Sequence, residues 1–140
     1  MPFLLLINYN LTYLSEKEAG RSIINRGRVM EEENPYFGRM NDPTGAAWVK
    51  GICGEEIEFY LYIRDRVIED AKYFTEGCGS ILAAGRAVAE KAEGKKIEEA
   101  LHLNPGSIIE SEALEEEDQH CAILAVIALL KAIADYLLKP

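Results

Sequence analysis

Glu56-Ile57-Glu58-Phe59-Tyr60-Leu61-Tyr62-Ile63-Arg64 is the stretch on which the fold turns. Ile57, Phe59, Leu61 and Ile63 alternate with Glu56, Glu58, Tyr60 and Tyr62, and a two-residue period of strand-favouring side chains predicts a half-buried strand. The strand signal begins near Trp48. Arg64-Asp65-Arg66 reads as a turn, and Val67 to Thr75, rich in β-branched and aromatic residues, reads as the returning strand of a hairpin that Gly77-Cys78-Gly79 ends. Ser80 is expected to cap the next segment, where Ile81, Leu82, Ala84, Val88 and Ala92 form an apolar stripe before Gly94. Ile97 to Leu103 reads as a short helical piece, Asn104-Pro105-Gly106 as a break, and Ser107 to Leu114 as another short helix. Asp118 is positioned to cap a long helix from about Gln119 to Leu138. Upstream, Ser15 and Glu18 form a capping box for a helix over about 16 to 26, and Asn34-Pro35, Asn41-Asp42-Pro43 and Gly45 punctuate a loop. The expected class is α+β: an antiparallel meander of two or three strands, helices on one sheet face, and a long C-terminal helix.

A chain of 140 residues that is 49% hydrophobic and 28% charged is long enough to bury one core without staples. Its net charge of -9 repels phosphate backbones and anionic membrane surfaces, so neither nucleic acid nor a membrane is an expected partner. The longest apolar run, Cys121 to Leu130, is ten residues, well short of the roughly 18 needed to span a bilayer. Phe3 to Ile7 is too short, and lacks the basic region and cleavage pattern, to be read as a signal peptide. Three cysteines, separated by 25 and 43 residues, suit a reducing cytoplasm better than a disulfide framework.

Those cysteines occupy element ends. Cys53 precedes the strong strand, Cys78 lies between strand and helix, and Cys121 opens the last helix beside His120. If the strand reaches back to residue 53, Glu55 shares the side of Cys53. Helix N-termini favour thiolate over thiol, so Cys78 and Cys121 are both expected below the reference pKa of about 8.5. Three thiolates, an imidazole and a carboxylate suit zinc or iron-sulfur chemistry rather than magnesium or calcium. A 2Fe-2S unit usually takes four thiolates, so His120, Glu55 or a second subunit has to complete the set. Trp48, Tyr60 and Tyr62 are read as packing residues, and Glu115 to Asp118 as a solvated acidic approach to the last helix.

Asn34-Pro35-Tyr36-Phe37-Gly38, Cys53-Gly54-Glu55, Ile57 to Leu61, Ala71 to Gly79, Gly94 to Leu101, His120-Cys121 and Ala132 to Tyr136 occur in an order that resembles the IscU/NifU-type iron-sulfur cluster assembly scaffolds. The resemblance covers about residues 28 to 138, and makes 28–140 a NifU-like (SufE/NifU-like) domain after an extension at 1–27. It implies a non-enzymatic scaffold that receives sulfur from a cysteine desulfurase, binds iron, builds a transient 2Fe-2S cluster and passes it to apo-proteins. An iron or electron donor protein is a further implied partner. Cys53, Cys78 and Cys121 match the ligand cysteines, Cys121 also the persulfide acceptor, and His120 a residue that ligates zinc or stabilises the cluster. Glu55 stands where the family usually has Asp, a residue tied to metal binding and cluster release. The alternative is a zinc-containing sulfur-acceptor protein. That branch carries an insertion between its second and third cysteines, which this chain lacks.

Two further departures from the family are visible. Leu114-Glu115-Glu116-Glu117-Asp118 replaces a Leu-Pro-Pro-Val-Lys segment read by a dedicated chaperone. Ile123, Val126, Ile127 and Leu130 replace polar residues, and their spacing predicts one exposed apolar stripe. The N-terminal Phe3, Leu4, Leu5, Leu6 and Ile7 are a candidate cover for it, and a homo-oligomer is expected.

Overall fold

The computed structural model describes residues 34–139. The expected helix over 16 to 26 and the apolar segment Phe3 to Ile7 lie outside those residues. Strands β1 (Gly45–Lys50), β2 (Glu56–Arg64) and β3 (Val67–Phe74) form an antiparallel sheet in the order β1-β2-β3. Asp65 and Arg66 both take positive φ (54° and 61°), the conformation that lets a two-residue connection follow the twist of its strands. Ile57, Phe59 and Leu61 are fully buried and Ile63 nearly so, as the alternation in β2 requires. On the opposite face Trp48 is 56% exposed and bonds Glu56 through its indole N–H, and Tyr62 is exposed as well. These two aromatics therefore sit on the outer face rather than packing in the core.

Helices α1 (Gly79–Ala92), α2 (Ile97–Ala100), α3 (Pro105–Ser111) and α4 (Gln119–Leu138) follow, with a 3-10 turn at Glu116–Asp118. α4 packs on β1 and β2, and α1 on β3 and α4. The closest approach is at Gly45, where a Cβ would collide with the backbone carbonyl of Ala132. Beside it the Asp135 carboxylate accepts the Ala46 N–H at 3.0 Å. Burying each large apolar side chain of this layer contributes about 1.5–3 kcal/mol, which is what holds α4 against the sheet.

Three helix expectations change. Ser80 is not the cap of α1: the helix begins at Gly79, and extended Cys78 occupies the cap position without a side-chain cap bond. Asp118 does stand at the N-cap of α4, again with no side-chain cap bond. Asn104-Pro105, expected as a break, starts a helix, because the Asn104 side chain accepts the Gly106 N–H at 2.7 Å and Pro105 fits the first turn. Val126 is buried, so the α4 stripe is interrupted and its exposed members are Ile123 and Ile127. The ten-residue apolar run also understates α4. With its flanking turn the helix is long and apolar enough to cross a membrane, yet half of that window is buried inside the domain.

Candidate metal and sulfur site

Three junctions meet at one end of the sheet. The β1–β2 connection, Gly51 to Glu55, is a closed loop: the Gly51 N–H donates to the Glu55 carbonyl at 2.7 Å, and Gly54 takes φ +92°. This loop, rather than a backward extension of β2, carries Cys53 and Glu55. Because β2 and β3 are antiparallel, the end of β3 returns to the same edge and delivers Cys78 at the start of α1. The first turn of α4 brings His120 and Cys121. Cys53 and Cys78 are exposed, and Cys121 is buried.

His120 Nε2 donates to Glu55 Oε2 at 2.6 Å. Cys121 Sγ lies 4.0 Å from the same carboxylate oxygen and 3.8 Å from His120 Nε2. One donor atom each from Cys53, Glu55 and His120 fall within 4.8 Å of one another. Cys78 is outside that tight trio, but its charge, like that of Cys53, acts on Cys121. The bond from His120 holds the Glu55 carboxyl below its ordinary value. Cys121 moves the other way, up to about 11, first because it is buried and then because Glu55, Cys78, Asp118 and Cys53 crowd it with negative charge. The expected lowering by the helix N-terminus is thus overturned for Cys121: burial, with the charge of its neighbours added to it, outweighs one helix end.

The donor set fits a metal or cluster of the zinc and iron type. Glu55 Oε1 is buried with no hydrogen-bond partner, an expensive state for a carboxylate oxygen that a bound cation would relieve. A cation would also reverse the electrostatics at Cys121, since a coordinated thiol gives up its proton. Cys53, Glu55, His120 and Cys121 are therefore the groups that the geometry gathers most tightly.

One residue at this end escaped the sequence reading. Thr75 reads as the last residue of the returning strand, but β3 ends at Phe74 and Thr75 is buried at 5% exposure, bonded to Glu56 and Gly77. The only signal for it in the sequence is a polar residue directly before the Glu-Gly-Cys corner.

The sequence profile of the NifU-like N terminal domain family matches residues 25–140. The "iron-sulfur cluster assembly scaffold protein IscU 1" of Archaeoglobus fulgidus is 36% identical over 110 residues, spanning 76% of this chain and 72% of the relative. The protein of Escherichia coli K12 named "iron-sulfur cluster assembly scaffold protein IscU" is 39% identical over 110 residues, spanning 74% of this chain and 86% of its own. Among solved structures, the N-terminal NifU-like protein of Brucella abortus superposes with a TM-score of 0.61 at 19% identity, covering 86% of this chain and 99% of that one. That last likeness is one of fold.

Alkylation of the metal-free protein at pH 8 reads this arrangement directly. Cys53 and Cys78 should label quickly, and Cys121, buried with its thiol pushed up to about 11, on the order of 100-fold more slowly. A raised pKa leaves little thiolate below it, so the Cys121 rate should climb as pH rises toward that value. Mass spectrometry of the labelled peptides checks both; a Cys121 that labels as fast as Cys53 at pH 8 would contradict the geometry.

Proposed function

Because the chain belongs to the NifU-like N terminal domain family, we propose that it is a scaffold for building a labile 2Fe-2S cluster from iron and desulfurase-derived sulfur and passing it to apo-proteins. The observation that carries the reading is the packing of Cys53, Glu55 and His120 donor atoms within 4.8 Å of one another, with Cys121 Sγ beside two of them. In this reading residues 28–140 are the scaffold domain and 1–27 an extension. Cys53, Cys78 and Cys121 hold the cluster, and His120 or Glu55 completes the set. The free thiols suit a reducing, cytoplasmic setting.

Sulfur arrives as the outer atom of a desulfurase persulfide. The Cys121 thiolate attacks that atom, a new sulfur–sulfur bond forms at Cys121, and the desulfurase cysteine leaves as a thiolate. The proton that Cys121 gives up passes to a neighbouring base, and Glu55 Oε2, 4.0 Å from its sulfur, is within reach, while the His120 Nε2 N–H is already committed to that carboxylate. Two ferrous ions supply two of the four electrons that turn two sulfane sulfurs into sulfide, and an electron donor protein supplies the other two. The chain works as a carrier: the cluster is its cargo. Glu55 competes with sulfur for the metal, and this is the route by which it labilises the cluster.

Self-association is part of the same reading. Ile123 and Ile127 are 47% and 39% exposed, and Leu130, Ala134 and Leu137 continue their four-three-four-three spacing along α4. That spacing is the seam of a helix pair, and a second copy of α4 is its natural occupant.

Anaerobic incubation with a cysteine desulfurase, cysteine and ferrous iron should turn the protein brown, with the visible absorption of a 2Fe-2S cluster; a chain that stays colourless would contradict the scaffold reading. The Glu55→Ala variant should lose its cluster to a chelator several-fold more slowly than wild type, and equal or faster loss would remove Glu55 from the release step. In sedimentation velocity wild type should run as an oligomer, and Ile123→Ser with Ile127→Ser as a folded monomer; a monomeric wild type refutes the α4 seam.

A further inference from the structure

Thr75 is a polar side chain buried to 5% exposure. Its hydroxyl donates to the Glu56 carbonyl at 2.6 Å and accepts the Gly77 N–H at 3.1 Å. A hydroxyl has a single hydrogen, so its donor role is committed to Glu56. The partners are not arbitrary positions. Glu56 directly follows Glu55, and Gly77 directly precedes Cys78.

The β2–β3 ladder explains why a side chain is needed there. Its pairing stops at Glu58 and Phe74, so no strand pairing joins the two chains between that point and the site. Past that point the Thr75 hydroxyl provides the bond that continues the connection. Gly77 is pressed into the same joint: a Cβ on it would stand 2.5 Å from Ile81 Cγ2 and 3.3 Å from Thr75 Oγ1. The corner between β3 and α1 is therefore seated between the hydroxyl and the first turn of α1. Fold stability does not depend on this joint alone, because the β2–β3 ladder and the α1 and α4 packing lie on the other side of it.

We propose that Thr75 is a positioning residue for the site. Its hydroxyl clamps the loop that carries Cys53 and Glu55 to the corner that presents Cys78, and so fixes the spacing of those ligands before metal or cluster arrives. The inference rests on the scaffold reading above, since it is toward that cargo that the ligands are spaced. Valine at this position matches threonine in shape but strands the Glu56 carbonyl and the Gly77 N–H, and the two segments lose their tie. Serine keeps the tie and gives up only a methyl group.

Anaerobic titration with Co2+ as the probe, followed by its thiolate charge-transfer absorption, tests this on wild type, Thr75→Val, Thr75→Ser and Cys78→Ser. Thr75→Val should keep the wild-type circular dichroism and still bind about 10- to 100-fold more weakly, as loss of a ligand's supporting hydrogen bond does. Its absorption at saturation should fall toward that of Cys78→Ser, and Thr75→Ser should restore both affinity and intensity. A folded Thr75→Val with wild-type affinity and intensity overturns the clamp while leaving the scaffold reading intact. Should Thr75→Val not fold, Thr75→Ser decides: wild-type binding supports the clamp, and weakened binding overturns it. A wild type with no thiolate band overturns the scaffold reading and the clamp together.

Discussion

One-sided burial of β2 is the constraint from which the rest of this structure follows. Ile57, Phe59 and Leu61 are fully removed from water, and a slip of one residue would turn all three to solvent and bury Glu56, Glu58 and Tyr60. The register is therefore fixed, and with it the pairs Lys50 with Glu56 on one side and Glu58 with Phe74 on the other. In an antiparallel meander the first connection and the end of the third strand lie at the same edge. Two of the three cysteines are brought to that edge by strand parity alone, and α4, seated on the buried face, brings the third.

The electrostatics of the resulting site are those of a place waiting for a cation. Glu55 is held ionised by His120, one of its oxygens is buried without a partner, and Cys121 is held as a thiol first by its burial and then by the negative charge around it. Each of these conditions is unfavourable in isolation, and each is relieved by one positive charge placed among the same atoms. Glu55 and His120, which bond each other, are both candidate ligands.

β2, α1 and α4 were legible because each rests on a long apolar pattern, of two in Ile57 to Ile63 and of three and four in Ile81 to Ala92, whereas β1 begins at Gly45, which reads as loop. The candidate ligand cysteines were legible through motif and through their place at element ends. What failed rests on local facing and on neighbours remote in sequence. Whether Ser80 or Cys78 caps α1 depends on where β3 stops. Whether Val126 faces water depends on how α4 rotates against the sheet, and one step along a helix turns a side chain by about 100°. The thiol of Cys121 looked activated because the helix end is visible in sequence, whereas Glu55, 66 residues away, is not. Thr75 went unnoticed for the same reason: its partner Glu56 lies 19 residues back, and the bond between them follows only from the hairpin register.

The claim that all of this supports is that three separate junctions make one site. The most direct measurement is the stoichiometry and affinity of Zn2+ binding to the reduced full-length protein, by native mass spectrometry with chelator competition, in wild type and in Cys53→Ser, Cys78→Ser and Cys121→Ser. Convergence predicts a single tight ion per chain in wild type and a large loss of affinity in every one of the three variants. A Cys78→Ser protein that holds its zinc with wild-type affinity would contradict it, leaving Cys78 outside the site.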